Sequence, residues 1–245
     1  MTRMTTMTMI KRAVAALATG LMVLSLNAQD KDFGIWYGAN VNKGITDKID
    51  FDISAMVRTF EKASKVDQGF LEAGLGYKIN KHLDAAISYR LTSALEDDSK
   101  YHFQHKVFID LKGDVKLSNF TFSGRFRFQT RLKSYLVYVS DKYPDYTGRL
   151  KLKAMYRTQA FPLNPYVYYE SFCPMFANSD RLIGKNRFSI GTEYKISKMH
   201  SVELEYIFQR DYLPNISDIN IIALSYNLKL PKTGKINKAS PQEQP

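Results

Sequence analysis

With 245 residues, among them 16 Tyr, 15 Phe and only 8 Pro, the chain is long enough for one large all-β domain and too poor in breakers to be disordered. A single cysteine, Cys173, excludes an internal disulfide framework. The net charge of +11 comes from bases scattered at alternate positions of extended segments, not gathered in a patch, so no nucleic-acid partner is expected.

Lys11 and Arg12 precede the apolar run Ala13 to Leu26, and Asn27-Ala28 then gives way to Gln29-Asp30-Lys31-Asp32. A charged start, a short apolar run and a small residue at the exit read as a secretory signal peptide over 1–28, too short to span a membrane. No other segment reaches the roughly eighteen consecutive apolar residues of a spanning helix.

From there the chain alternates. Residues 33–43 make a short candidate strand. Over 48–60, Ile49, Phe51, Ile53, Ala55 and Val57 oppose Asp50, Asp52, Ser54, Met56 and Arg58. A hairpin follows over about 69–93. Leu71, Ala73, Leu75, Tyr77 and Ile79 oppose Glu72, Gly74, Gly76 and Lys78. After the break Asn80-Lys81-His82, the pattern resumes with Leu83, Ala85, Ile87, Tyr89 and Leu91 against Asp84, Ala86, Ser88, Arg90 and Thr92. Period 2 over two long segments predicts paired strands, and about ten residues per strand is what a tilted strand needs to cross a membrane.

The segment 101–112 sets Phe103, His105, Val107, Ile109 and Leu111 against His102, Gln104, Lys106, Phe108 and Asp110. Over 119–131, Phe120, Phe122, Phe126 and Phe128 face away from Arg125, Arg127, Gln129 and Arg131, which predicts a wall between an apolar medium and a polar one. Residues 147–158 repeat this with Leu150, Leu152, Ala154 and Tyr156 against Arg149, Lys151, Lys153 and Arg157. Over 165–173 tyrosines fall on both faces and the facing stays open. Three more strands are predicted at 186–197, 200–211 and 217–230, the first carrying Gly191 to Lys198 (G-T-E-Y-K-I-S-K), an echo of Gly74 to Lys81 (G-L-G-Y-K-I-N-K).

Breaks near 44–47, 80–82, 113–118, 159–163 and 198–199 are mostly shorter than those near 61–68, 94–100, 132–146, 174–185 and 212–216. Short turns on one rim and longer loops on the other are expected of an outer-membrane barrel. The predicted fold is therefore all-β, a single antiparallel transmembrane β-barrel over 29–230, with a polar, aperiodic tail over 231–245. Eleven candidate strands conflict with the even number of single-chain bacterial barrels. Ten are preferred, the first segment being read as too short to span and both ends as periplasmic, with twelve as the alternative if a long loop hides a strand.

The apolar stripe then meets outer-membrane lipid, and the polar stripe lines the lumen. Candidate lining residues are Arg58, Glu72, Arg90, Arg125, Arg127, Arg149, Lys151, Lys153, Glu193, Glu203 and Glu205, together with Asp50, Asp52, Asp84, Lys106, Asp110 and Arg187. Arg125, Arg127, Arg149, Lys151 and Lys153 form a basic sector, and Glu193, Glu203 and Glu205 an acidic one. Pairing across the lumen closes it; like charges on one wall keep it solvated. The readings left open are a passive or weakly selective path for small solutes or ions, a structural or ligand-binding barrel with a closed charged lumen, and a soluble periplasmic β-sandwich or lipocalin-like protein. In the open-path reading, replacing Arg125 and Arg127 with glutamate shifts selectivity toward cations.

No enzyme activity, cofactor or metal is expected. His102 and His105 face opposite sides of a strand, and Ser99 with His102 is the only local pair a hydrolase could use. Tyr135, Tyr138, Tyr143 and Tyr146 order the long loop or stack on a sugar.

The signal followed by Asp32 to Gly38 (D-F-G-I-W-Y-G), the hairpins Glu72 to Leu83 and Gly191 to Tyr206, and the ending Ala223 to Leu230 (A-L-S-Y-N-L-K-L) resemble domain-of-unknown-function family 2490. The resemblance covers about residues 30–230. It implies an outer-membrane β-barrel of Bacteroidetes, Gram-negative bacteria, and brings no substrate or catalytic residue.

Overall fold

A computed structural model describes residues 32–96, 98–133, 145–157, 162–176, 181–213 and 215–232. The signal segment 1–28, Tyr135, Tyr138 and Tyr143, and the tail beyond Lys232 lie outside these residues.

Eleven strands follow one another: β1 (Asp32–Gly44), β2 (Ile49–Phe60), β3 (Lys65–Lys78), β4 (Leu83–Leu95), β5 (Tyr101–Leu117), β6 (Phe120–Lys133), β7 (Asp145–Tyr156), β8 (Leu163–Met175), β9 (Lys185–Lys195), β10 (His200–Asp211) and β11 (Ser217–Leu230). Each pairs with the next, and β1 meets β11 to close a barrel. Every consecutive pair is antiparallel. An odd number of such strands leaves the first and last pointing the same way, so the seam is parallel. Contacts along it agree: Gly34 lies against Ile219, Gly38 against Ser225 and Gly44 against Lys232. Between them Asn40 donates to Asn227 at 2.8 Å.

The expectation of ten or twelve strands is thus corrected to eleven, and the barrel is mixed, not purely antiparallel. The first segment is a full 13-residue strand, and its Trp36 is buried against Ile207, Ile221 and Ala223. Leaving β1 out of the wall would expose that indole and two sheet edges. The two ends of the sheet consequently fall on opposite rims, with β11 ending on the short-turn rim.

Alternation decides which face of each strand looks out. On β6, Phe120, Phe122 and Phe126 are about half exposed, whereas Thr121 and Arg127 are buried. The same split runs round the wall, with Ile87, Ile109, Leu152, Val167 and Ile190 exposed outside and Phe108, Asp110, Glu170 and Arg187 buried inside. Some boundaries shift. The expected break at 113–118 is strand as far as Leu117, because Gly113 pairs with Gly124 and Val115 with Phe122, leaving Ser118 and Asn119 as the turn. Likewise β3 starts at Lys65, four residues earlier than expected, after a register irregularity between Arg58 and Thr59.

The repeated glycines Gly74 and Gly191 are not turn residues. Each sits on the inner face where a neighbouring side chain needs its space: a Cβ at Gly74 would come 2.5 Å from Ser88 Oγ, and one at Gly191 would come 2.6 Å from the Tyr166 hydroxyl and 2.9 Å from the Leu204 carbonyl oxygen. Gly191→Ala is therefore expected to destabilise the barrel by about 1–3 kcal/mol through overpacking. Thermal unfolding in detergent checks this, with Gly124→Ala as the tolerated control, since its Cβ would meet only Leu152 at 3.8 Å.

Candidate functional site: a charged and aromatic layer in the lumen

One register row carries an unbroken run of charge from β9 to β3. Gln209, Arg187, Glu170, Lys151, Arg125, Lys112, Asp84 and Lys78 are successive partners from β10 to β3. Side chains on one row of a barrel stand within reach of each other. Of its two acids, Glu170 and Asp84, Glu170 is the buried one, only 2 % exposed. Arg125 donates to its Oε1 at 2.6 Å and Arg149 at 2.9 Å, while Arg187 stands 3.9 Å from Oε2. One carboxylate thus holds three strands' arginines, β6, β7 and β9.

The next acids work in pairs. Arg127 grips Asp110 in a bidentate fork, 2.6 and 2.7 Å, with both groups buried. Arg90 donates to Glu72 at 2.6 Å. The Arg127 fork fixes geometry as well as charge, because its planar guanidinium matches both carboxylate oxygens of Asp110.

Between the arginines stand aromatic rings. Arg58 lies 3.9 Å from the centre of Trp36 and 5.1 Å from that of Phe70, which Arg90 approaches at 3.7 Å. Arg90 and Arg127 flank Phe108 at 4.8 and 4.3 Å. Across the Arg127 and Arg149 register pair, Arg149 and Arg187 share Phe172 at 4.3 and 4.7 Å. Arg187 closes the circuit 5.0 Å from Trp36. Strands β1 to β9 each give one member, and Ile207 and Ile221 fill the arc at β10 and β11. Stacking on a ring lets an arginine stay charged where water is scarce.

Nearer the short turns, the basic and acidic sectors meet. Lys151 and Lys153 sit 3.4 and 3.6 Å over Tyr168 and Tyr166. These tyrosines donate to Glu205 at 2.5 and 2.8 Å, and Lys153 lies 3.5 Å from Glu203. Glu193 accepts from Asn164 and Ser201. Below them opens a cavity of about 830 Å³ lined by Asn40, Asp52, Glu193, Lys195, Ser201 and Asn227 among others.

All eleven candidate lining residues fall on the inner face. Trp36, Phe70, Tyr166, Tyr168, Glu170 and Phe172 complete the layer but were not singled out in the sequence. Glu170 is the one charge in β8. Counting by twos from it gives Tyr166, Tyr168 and Phe172 on its own face, a signal hidden by the tyrosines on both sides.

Elsewhere, His102 Nε2 lies 2.8 Å from Asp98. Tyr146 stacks on Phe128 and meets Phe176 edge-on. Among the described residues, no group of three or more His, Cys, Asp or Glu is placed to hold a metal ion.

The chain belongs to the family DUF2490, described as a protein of unknown function, whose profile matches residues 33–220. Among solved structures it is similar to the NanC porin, at 13 % identity and a TM-score of 0.52, over 81 % of this chain and 99 % of that one. It is also similar to the beta domain of the Bordetella autotransporter BrkA, at 11 % identity and a TM-score of 0.42, over 75 % and 84 % of the two chains. The likeness to NanC shows a shared porin-like barrel fold. No curated protein sequence matches the chain.

Proposed function

We propose that this DUF2490 chain is an outer-membrane β-barrel whose lumen its own side chains close, and that it is neither an enzyme nor an open diffusion pore. Its partner on the outside is lipid. The exposed stripe of Ile, Leu, Val and Phe runs round every strand from β2 to β11, and a wall of that kind is stable where the surrounding medium is hydrocarbon. Glu170 carries the closed-lumen reading. A carboxylate only 2 % exposed and shared by arginines from β6, β7 and β9 is covered by packed side chains along that wall, and Arg187 reaches on past β10 and β11 to within 5.0 Å of the centre of Trp36 on β1, which supports a filled interior over a wide channel. Small barrels have interiors just wide enough for side chains to fill, while barrels of about 16–18 strands leave an aqueous channel; eleven strands with long arginines and rings lie on the filled side.

A second reading, a weakly selective path for small solutes or ions, draws on the cavity of about 830 Å³ that opens beneath the layer. Planar-bilayer recording separates the two. The protein is first shown to be a folded membrane barrel by a fast-migrating unheated band that slows on boiling, and is then inserted. The closed-lumen reading expects a silent bilayer or only rare, small openings. Sustained conductance of porin size would overturn it in favour of the second reading. Release by osmotic shock, with identical migration heated or not, would sink both.

A further inference from the structure

The arginines of the layer outnumber their acids. Arg58, Arg90, Arg125, Arg127, Arg149 and Arg187 are served by Glu72, Asp110 and Glu170. The shortfall is greatest at Arg58. Its Nε donates only to the thioether of Met56, at 3.3 Å, and among the described residues no carboxylate lies within ion-pair distance. Arg187, on the same indole, has Gln209 at 2.8 Å and a long 3.9 Å approach to Glu170, so its guanidinium keeps unused donors. Two further nitrogens of the layer, Nε of Arg125 and of Arg149, are buried with no hydrogen-bond partner. Buried donors and buried charge without partners are costly.

We propose that the layer binds a small oxyanion between Arg58 and Arg187 beside Trp36. The chemistry is that of inorganic phosphate, sulfate or a carboxylate: a compact anion with two oxygens facing one guanidinium fork. Rings of arginine and lysine are how pores recognise anions and phosphate, and Trp36 holds both forks within about the reach of one ion, Arg58 at 3.9 Å and Arg187 at 5.0 Å from the indole centre. Chain chemistry explains why no protein carboxylate answers Arg58. Beside Arg58, β1 offers Trp36, Gly38 and Asn40 on its inner face and β11 offers Ile219, Ile221 and Ala223, so neither strand sets a carboxylate next to it. The inference rests on the lumen-facing placement that the proposed function also uses, but not on whether the lumen conducts.

Trp36 is the only tryptophan of the chain, so indole emission from the folded full-length barrel in detergent reports on this one place. Titration with sodium phosphate, at ionic strength held constant with sodium chloride, is expected to change the emission saturably. Removing a charged hydrogen-bond partner should weaken binding about tenfold or more in Arg58→Gln. Arg58→Lys is expected to fall between that variant and the wild type, and Lys81→Gln at a distant short turn should match the wild type. Sulfate and acetate arms distinguish a tetrahedral dianion from a carboxylate. An emission unmoved by all three anions, a change reproduced by chloride, or an Arg58→Gln curve overlaying the wild type would each overturn the site. Should Arg58→Gln fail to refold, Arg58→Lys decides alone by the same comparison. A conducting barrel that still titrates removes the closed-lumen reading and keeps the site; a silent barrel that does not titrate does the reverse.

Discussion

Replacing Glu170 with alanine is expected to destabilise the barrel by about 3–5 kcal/mol, the cost of stripping one partner from a buried ion pair. Here the loss is shared by Arg125, Arg149 and Arg187 at once, and all three side chains are at least three-quarters buried. Without the carboxylate their like charges repel within one wall and cannot be hydrated in place. The temperature at which the fast-migrating unheated form converts to the slow one should fall accordingly. Glu170→Gln, which keeps acceptor oxygen and volume but not charge, should fall less. A Glu170→Ala barrel melting within about 0.5 kcal/mol of the wild type, the range of ordinary surface changes, would show that the three arginines are solvated and the layer is open. The same geometry revises what glutamate at positions 125 and 127 would do. Arg127 is locked to Asp110 and Arg125 to Glu170, so acid would face acid in a buried site, and failure to assemble is expected before any change of ion selectivity.

The wall of this barrel was legible because period 2 is a local property. Each strand with a clean stripe, such as Phe120 to Phe128 against Arg125 and Arg127, declares both of its faces without reference to its neighbours. What joins the strands inside the lumen is not local. Glu170 meets Arg125 and Arg149 over 45 and 21 residues of sequence, and only the register of β6 to β9 brings them together. β8 hid its acid for a second reason, since Tyr166 and Tyr168 point inward while Tyr169 lies outside against Phe188; aromatic residues suit a lumen packed with arginine as well as they suit lipid. The strand number failed for a different reason again. Each of the eleven segments is visible in the sequence, but the even-number rule of single-chain barrels argues against a strand whose Trp36 is needed inside. A seam between β1 and β11 depends on closure, which no window of sequence contains.

Placing an arginine on the outside of the wall should separate a membrane barrel from a water-soluble one with the same strands. Ile190 lies in the middle of β9, 54 % exposed, between its register partners Val167 and Tyr206. If hydrocarbon surrounds the barrel, Ile190 sits near the bilayer midplane, where arginine on the lipid face costs about 2–4 kcal/mol. Ile196, just beyond the end of β9 on the short-turn rim, is 58 % exposed, so the two sites are alike in accessibility and differ in depth. Ile196→Arg should cost only about 0–1 kcal/mol, as expected near the interface. Urea unfolding of barrels refolded into lipid vesicles measures both. In water neither position has anything to desolvate, and both substitutions would stay within about 0.5 kcal/mol. Equal small effects would therefore end the membrane reading even though the barrel itself is closed. A large cost at Ile190 with little at Ile196 cannot be produced by packing, since both side chains already point away from the protein; it requires a medium whose polarity changes along the barrel axis.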